Sequence, residues 1–297
     1  MKKTFSLVLI LGICAGLLSG CRISSGSSSG LSDIQYENAD RYTMGGASLT
    51  DTVKKVEIDW VSGSVLVIPH TEDTVVFEEE ANRSLNDDTT LYYWLDGTTL
   101  HIKFCRSGKW SLTGLEKDLV LYLPQRLTLE ELEIGSVSAE IGAESISAEK
   151  LKLETVSGSI RVTGCSVAKE AKLFSVSGSI DASLLGTLEE LKTGTVSGSV
   201  TVSAGEIVSI DGNSTSGGLS FSLSNAPRKL DVDTVSGSVE LCLPEDAGFT
   251  LRFSTVSGKF SSDLPCRTDG KEYVCGDGSG DYSIGTTSGS VTVRPVR

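Results

Sequence analysis

The amino-acid sequence predicts an all-β protein in which coils of about 20 residues stack into a β-solenoid. The first observation behind this prediction is a phrase, Thr-Val-Ser-Gly-Ser-Val, that returns along the second half of the chain. Successive central glycines differ by 20, 20, 19, 20 and 21 positions, and they are Gly158, Gly178, Gly198, Gly217, Gly237 and Gly258. A fixed period of this size indicates a repeat protein whose units bury their apolar faces against one another.

The composition is the second observation. The 297 residues include 32 Gly and only 6 Pro, 39% are hydrophobic, and no long apolar stripe has the helical period. This composition favours many short strands joined by turns, with an antiparallel β-sandwich as the alternative architecture. The formal net charge of −13 repels nucleic acid and anionic lipid headgroups, so neither is expected as a partner.

Residues 1–20 have the plan of a bacterial lipoprotein signal peptide. Two lysines precede a mostly apolar run from Phe5 to Leu18, which is too short to span a membrane comfortably. The following Leu-Ser-Gly-Cys21 resembles the lipobox, in which the cysteine receives lipid and becomes the mature N-terminus. We therefore expect an exported protein that Cys21 anchors to the extracytoplasmic side of the bacterial cell membrane. The alternative is an ordinary signal peptide followed by a chance cysteine.

Two further segments follow the signal peptide. Residues 21–50 carry the predicted lipid and a flexible Ser/Gly tether, residues 24–30, with a reach of roughly 15 Å. Residues 51–297 form the predicted solenoid domain, which is irregular over 51–125 and regular over 126–297. The irregular part already contains one copy of the phrase and several alternating strands, so we interpret it as continuous with the repeats. A separate small domain is the alternative.

The parity of apolar residues predicts a corner in each unit. Leu151 and Leu153 share one parity, whereas Val156 and Ile160 share the other. Because strand side chains alternate between faces, this slip predicts a corner immediately before the valine. The valine and the central glycine of the phrase would then face the interior.

The serines of the phrase would face outward. Stacked in register, they form a row with the strand spacing of about 4.8 Å, and its members are Ser157, Ser177, Ser197, Ser236 and Ser257. This row is a candidate binding face for a glycan. The alternative is an ordinary solvated face, because any half-exposed strand shows polar residues at its outward positions.

A hairpin insertion is predicted near residues 263–278. Asp-Gly at its centre is a hairpin turn signal, and Cys266 and Cys275 flank it. A disulfide between these two cysteines is expected in an exported protein, with two unpaired thiols as the alternative. Strand parity places Cys165 and Cys242 on the outer face, and the pairing of these two and Cys105 stays open.

One segment has the pattern of a partial metal loop. Asp277, Ser279 and Asp281 place side-chain oxygens at alternate positions, as the first half of a calcium loop does. The later glycine and the bidentate glutamate of such a loop are absent, so a glycine-rich turn is the favoured interpretation and Ca²⁺ the alternative. No other cofactor is expected.

The sequence lacks the usual catalytic patterns. It contains two histidines, far apart and outside any zinc motif, and neither a Gly-x-Ser-x-Gly elbow nor a phosphate-binding loop occurs. A serine that recurs in every coil is not a specialised nucleophile. The sequence therefore predicts a protein that is not an enzyme. Trp94 and Trp110 could stack on a sugar or a partner, or belong to the core.

The repeated phrase, preceded by Leu-x-Leu-x-Thr and followed by x-Val, resembles a bacterial family of exported proteins known as putative adhesins, a domain of unknown function. The resemblance covers roughly residues 51–297 and includes the strand Leu119 to Pro124. It implies a β-solenoid fold and supplies no catalytic residues. Some family members are encoded beside regulators of the cell-envelope stress response.

Three functional hypotheses follow. The favoured one is a non-enzymatic, lipid-anchored surface protein that binds a surface ligand, mediates adhesion or acts as a scaffold. The second is an accessory or sensor protein of the envelope stress response, acting through another envelope protein. The third is a glycan-active β-helix enzyme. Function is most expected where the repeat fails, at residues 71–114 and in the cysteine hairpin, and at Cys21.

Overall fold

Most of the chain winds into successive coils, and each coil contributes one strand to each of two walls. A computed structural model describes residues 21–22, 35–108 and 113–296. Its strands join into a 23-stranded sheet that bends at the corners of the coils, together with one separate two-stranded sheet. This architecture confirms the predicted all-β solenoid.

The strands are short at both ends of the chain and long in the middle. In chain order they are β1 (Cys21–Arg22), β2 (Gln35–Tyr36), β3 (Thr43–Met44), β4 (Ala47–Leu49), β5 (Lys55–Trp60), β6 (Gly63–His70), β7 (Val75–Ala81), β8 (Tyr92–Asp96), β9 (Thr99–Lys103), β10 (Lys117–Pro124), β11 (Thr128–Ser136), β12 (Glu140–Glu144), β13 (Ser147–Thr155), β14 (Ile160–Ser175), β15 (Ile180–Thr195), β16 (Val200–Ser214), β17 (Leu219–Leu223), β18 (Lys229–Thr234), β19 (Val239–Leu243), β20 (Phe249–Ser254), β21 (Phe260–Ser262), β22 (Cys266–Asp269), β23 (Glu272–Cys275), β24 (Gly280–Thr286) and β25 (Val291–Pro295). A 3-10 turn, Ala39–Arg41, lies between β2 and β3.

Parallel pairing in register defines the two walls. The first wall runs β9, β5, β11, β13, the second halves of β14, β15 and β16, then β18, β24 and β20. The second wall runs β10, β6, β12, the first halves of β14, β15 and β16, then β17, β19, β25 and β21.

The coils do not stack in the order of the sequence at either end. The last coil in the chain, β24–β25, lies between β18–β19 and β20–β21. The coil β5–β6 likewise lies between β9–β10 and β11–β12. Each inserted coil is therefore paired on both sides. The outermost coil at each end of the stack is hydrogen-bonded to the inserted coil and not to the coil beyond it.

Antiparallel strands cover the two ends of the stack. At one end β7 pairs with β10 and β8 pairs with β9, and β4 and β3 continue these pairings. At the other end the β22–β23 hairpin pairs with β20. Covering strands of this kind protect exposed sheet edges from pairing with other chains.

The core is a set of side-chain columns between the walls. Alternate residues of each strand point inward, so every coil adds one residue to each column. One column of buried residues comprises Leu100, Val56, Leu132, Leu151, Ala171, Leu191, Ile210, Leu230, Tyr282 and Leu251. This continuous column is the apolar interior that the repeats were expected to share.

One cysteine departs from its predicted position. Cys165 was expected on the outer face, but it is fully buried and its thiol lies 3.3 Å from the carbonyl oxygen of Ala143. The prediction is wrong because Gly164, with a φ of 63°, turns the chain and resets the alternation of side chains. Cys242 is half-buried on the outer face of β19, and Cys105 is buried.

Candidate functional site

Most corners of the solenoid are built by a hydroxyl, which is buried in each case except Thr255. In seven corners of the described chain, the Thr or Ser at the start of the corner accepts a hydrogen bond from the backbone N–H three residues later, whereas the Ser214 hydroxyl donates to the carbonyl oxygen of Gly217 at 2.7 Å. The bonds are Ser136–Ala139 (2.8 Å), Thr155–Gly158 (3.1 Å), Ser175–Gly178 (2.8 Å), Thr195–Gly198 (3.0 Å), Thr234–Gly237 (2.9 Å), Thr255–Gly258 (2.7 Å) and Thr286–Gly289 (2.8 Å). This bond satisfies an N–H that the corner removes from the strand ladder.

The central glycines of the phrase allow the corners to stack closely. A Cβ atom on Gly178 would lie 1.8 Å from the carbonyl oxygen of Gly158, and one on Gly198 would lie 2.1 Å from that of Gly178. No side chain fits at these distances, so the backbone approach itself requires glycine. The repeated phrase is therefore a requirement of the corner geometry.

The predicted orientation of the valines is wrong. Thr155 is fully buried, whereas Val156 is half-buried, and Val235 and Val256 are 45% and 77% exposed. The side chain of the valine points outward. The inward position is taken by the preceding threonine, whose hydroxyl accepts the hydrogen bond from the glycine N–H. Counting apolar residues alone could not reveal this preference.

The predicted serines all lie on the exposed side of the corners. Together with Ser216 and Ser288 they make up seven consecutive members of a row that continues to the exposed Ser138 of the neighbouring coil, and in spatial order these seven are Ser157, Ser177, Ser197, Ser216, Ser236, Ser288 and Ser257. We call this set the serine row. Ser288 stands between Ser236 and Ser257 because its coil is inserted there: its N–H donates to Val235 at 3.0 Å, and the Ser257 N–H donates to Thr287 at 3.1 Å.

The irregular N-terminal part contains a buried ion pair. Lys117 is fully buried, and its Nζ lies 2.5 Å from Glu79 Oε2, 2.9 Å from the carbonyl oxygen of Thr89, and in contact with that of Phe104. The ammonium group also lies 4.9 Å from the ring centre of Trp60. Burial lowers the pKa of Lys117, and the Glu79 carboxylate opposes that effect. These contacts hold the covering strand β7, which carries Glu79, against β10.

An aromatic cluster lies at the same end of the solenoid as this ion pair. The centre of the Tyr42 ring lies 4.7 Å from the centre of the Tyr36 ring and 5.7 Å from that of the Trp94 ring. Trp94 in turn stacks on His101 at 5.4 Å and carries the Arg41 guanidinium at 5.6 Å from its ring centre. Trp94 is thus held between two neighbours, whereas Tyr36 and Tyr42 border open space.

A cleft of about 520 Å³ lies beside this cluster. Tyr36, Tyr42 and Tyr92 contribute rings to its lining, and Asp40 and Arg106 contribute charges. We call it the aromatic cleft and define it by these five residues. Tyr36 is mostly buried, whereas Asp40 and Arg106 are exposed.

The cysteine hairpin lies at the opposite end of the solenoid. Cys266 and Cys275 are joined by a disulfide across β22 and β23. Beyond it, Asp277 Oδ1 accepts a hydrogen bond from the Ser279 N–H at 3.0 Å, and this contact lowers the pKa of Asp277. Asp281 instead pairs with Arg252. Among the residues that the structure describes, no three His, Cys, Asp or Glu side chains converge as a metal site.

Several predicted features fall outside the described residues. They are the signal peptide at 1–20, the tether at 24–30 and Trp110. The backbone of Cys21 lies in β1, where it is paired with Tyr36 of β2. Within the described ranges, no helix has the length and apolarity needed to cross a bilayer.

Comparison with known proteins places the chain in a family. Residues 53–294 match the family described as Toastrack DUF4097. The chain belongs to the Toastrack family. This match agrees with the resemblance carried by the repeated phrase. No curated protein matches this Toastrack chain.

Two solved structures are similar to this Toastrack protein at low identity. One is a putative cell adhesion protein from Clostridium sporogenes, with 13% identity, a TM-score of 0.26, and coverage of 85% of this chain and 100% of that chain. The other is a putative adhesin from Bacteroides fragilis, with 12% identity, a TM-score of 0.41, and coverage of 84% of this chain and 97% of that chain.

The aromatic cleft of this Toastrack protein is not visible as a motif in the sequence. Its rings come from positions 36, 42 and 92, and its arginine from position 106, so no local pattern unites them. The available signals were the density of aromatic residues near 36–42 and 92–94 and the failure of the repeat in the same part of the chain.

Proposed function

We propose that this Toastrack protein is a lipid-anchored bacterial surface protein that binds an extended ligand along its serine row and catalyses no reaction. The observation that carries the proposal is the row itself. Seven exposed serines from successive coils follow one edge of the solenoid. At the strand spacing of about 4.8 Å, the row is roughly 29 Å long.

The geometry of the row suits a polymer more than a small molecule. Hydroxyl groups donate and accept hydrogen bonds equally well, and they stand at one repeat distance along a line. The neighbouring valines, such as Val176 and Val196, are half-buried and add apolar contact at the same spacing. A chain of sugars or an extended peptide with hydrogen-bonding groups at regular intervals would meet several serines at once.

The surroundings of the serines support a binding role without catalysis. A nucleophilic serine needs a base within hydrogen-bond reach. The histidines of the described residues bond elsewhere: His70 Nε2 lies 2.5 Å from the carbonyl oxygen of Thr74, and His101 Nδ1 lies 3.0 Å from Glu57. The same serine environment recurs in every coil, which favours additive binding contacts.

The lipobox-like sequence before Cys21 supports an N-terminal lipid anchor. Because Cys21 pairs with Tyr36, the anchor would lie beside the aromatic cleft, and the disulfide hairpin would be the end remote from the membrane. The serine row would then extend away from the membrane surface. Replacing Cys21 by serine should release the protein from the membrane fraction into the soluble fraction. Retention of the Cys21→Ser protein in washed membranes would contradict the anchor.

The binding role is tested by removing three neighbouring hydroxyls. A Ser177→Ala, Ser197→Ala, Ser216→Ala variant should lose most binding of full-length protein to a panel of neutral and acidic polysaccharides and to isolated cell envelopes. The matched control replaces serines of the same coils on the outer face of the second wall, Ser183, Ser203 and Ser222.

The two triple variants have different expected outcomes. The control should bind as the wild type does, because its serines lie on another face. Equal binding by both variants would contradict a role for the serine row. Recovery of a membrane-embedded regulator from the envelopes, unaffected by the row substitutions, would instead favour the accessory role in the stress response.

A further inference from the structure

The aromatic cleft lies at the end of the solenoid where the coil repeat no longer applies. Three separate pieces of chain form it: the lead-in at residues 35–42, the start of β8, and the segment after β9. Its volume of about 520 Å³ falls within the usual range for small-molecule sites, roughly 300–1,000 Å³. The serine row runs from corner to corner of the stacked coils, so the aromatic cleft is a separate surface.

The rings of the cleft are held in fixed positions. The Tyr36 hydroxyl donates to the carbonyl oxygen of Cys105 at 3.2 Å, and the Tyr92 hydroxyl donates to that of Asp87 at 2.9 Å. Tyr42 is wedged between Tyr36 and Trp94. A ligand that packs on these rings would therefore find them preorganised, and little side-chain entropy would be lost on binding.

The charges of the cleft are nearly balanced. Arg106 is paired with Asp88, whose carboxylate lies 3.5 Å away, and Asp40 is an exposed acid on the rim. A phosphate or polyanion would require cations that are not already paired, and the whole chain carries a formal net charge of −13. The cleft thus disfavours anions while offering groups that can bond hydroxyls.

Tyrosine faces and polar rim groups together match the chemistry of sugars. The C–H groups on one face of a pyranose ring carry partial positive charge, and the face of an aromatic ring is its negative region. Carboxylate and guanidinium groups bond to sugar hydroxyls through charge-assisted hydrogen bonds. An entirely apolar ligand would leave the exposed Asp40 carboxylate without a matching group.

We propose that the aromatic cleft binds a neutral pyranose oligosaccharide. One sugar ring packs on Tyr42 or Tyr92, and its hydroxyl groups bond to Asp40 and Arg106. The lipid anchor proposed above would hold this site close to the membrane, but sugar binding itself does not depend on that anchor.

The test measures sugar binding by full-length protein in detergent micelles. The neutral probes are cellotetraose, chitotetraose, maltotetraose and mannotetraose, and tetragalacturonate serves as the anionic probe. Isothermal titration calorimetry should give a Kd of about 1 mM or tighter for at least one neutral probe. Tyr42→Ala or Tyr92→Ala, whichever removes the ring on which the sugar packs, should weaken that binding about 10-fold.

Two further variants keep the result interpretable. Asp40→Asn changes an exposed side chain that does not support the fold, and it should weaken binding about threefold while leaving the unfolding temperature unchanged. Tyr122→Ala is the control, because Tyr122 is a half-buried tyrosine on the outer face of β10, outside the cleft. It should leave the affinity unchanged, as should the serine-row triple variant.

Specific results would overturn the proposal. They are the absence of heat for every neutral probe at about 10 mM, binding of tetragalacturonate alone, wild-type affinity in both tyrosine variants, or equal loss in Tyr122→Ala. Loss of binding in the serine-row variant with none in the cleft variants would also overturn it, while supporting the function proposed for the row.

Discussion

Replacing Thr195 by valine removes one hydroxyl from a corner of the solenoid while keeping the side-chain volume nearly constant. Thr195 is 5% exposed, and its Oγ1 accepts the N–H of Gly198 at 3.0 Å. Valine leaves that buried N–H without a partner. A buried donor in this position costs about 1–3 kcal/mol, so we expect the free energy of unfolding to fall by about 2 kcal/mol.

The matched control is Thr201→Val. Thr201 belongs to the next strand of the same repeat and is exposed, so the identical chemical change should alter stability by less than about 0.5 kcal/mol. A second variant, Thr195→Ser, retains the hydroxyl and should keep most of the stability. Comparing the three variants separates the hydrogen bond from the effect of the added methyl group.

Urea unfolding followed by circular dichroism measures the difference. For a chain of this size, about 2 kcal/mol also corresponds to a fall of roughly 4–8 °C in the midpoint of thermal unfolding. Equal midpoints for Thr195→Val and Thr201→Val would refute the reasoning. The corner hydroxyl would then contribute nothing to the fold, and the Thr at the start of the phrase would need another explanation.

Three other predictions concern backbone contact, the buried ion pair and acid pH. Gly198→Ala should destabilise the protein by about 3 kcal/mol or more, since its Cβ would lie 2.1 Å from a carbonyl oxygen of the neighbouring coil; thermal unfolding measures the loss. Lys117→Met should cost about 3–5 kcal/mol, because the Glu79 carboxylate is left buried without its partner; urea unfolding should show that adding Glu79→Gln restores part of this stability. The hydrogen bond with His101 lowers the pKa of Glu57 below its ordinary value of 4.5. The stability that the Glu57 carboxylate contributes is therefore complete above pH 4.5 and is lost as the pH falls through the pKa of the folded state. The unfolding curves of Glu57→Gln should change less with acid than those of the wild type.

Each of these predictions has a contrary result. An unchanged midpoint of thermal unfolding for Gly198→Ala would mean that neighbouring coils can move apart without loss of stability. A double variant at Lys117 and Glu79 no more stable than Lys117→Met alone would show that the unpaired carboxylate is not the source of the loss. Identical acid dependence in the wild type and Glu57→Gln would show that this carboxyl does not couple folding to pH.

The sequence predicted the solenoid because its determinants are local and repeated. The hydroxyl of Thr195 and the glycine three residues later act within one corner, and the same pair returns in almost every coil. A period in the sequence therefore reports a period in space. The outward position of the serines followed from the same pattern.

The orientation of the valines and of Cys165 could not be predicted from parity. Thr155 takes the inward position because its hydroxyl bonds a glycine N–H, a preference that an apolar count does not include. The positive φ of Gly164 resets the alternation before Cys165. In both cases a single backbone conformation outweighs the rule of alternating faces.

By itself, the sequence determined the β-solenoid, the corner phrase and the exposed row of serines, since these depend on contacts between near neighbours in each coil. Only the tertiary structure decided which coil stacks on which. Parallel strands of similar length pair equally well with several partners. The complete set of pairings therefore decides that β24–β25 is inserted before the outermost coil, and this insertion brings Ser288 into the serine row. The aromatic cleft was decided in the same way, because its tyrosines meet only after distant segments pack over the first coils.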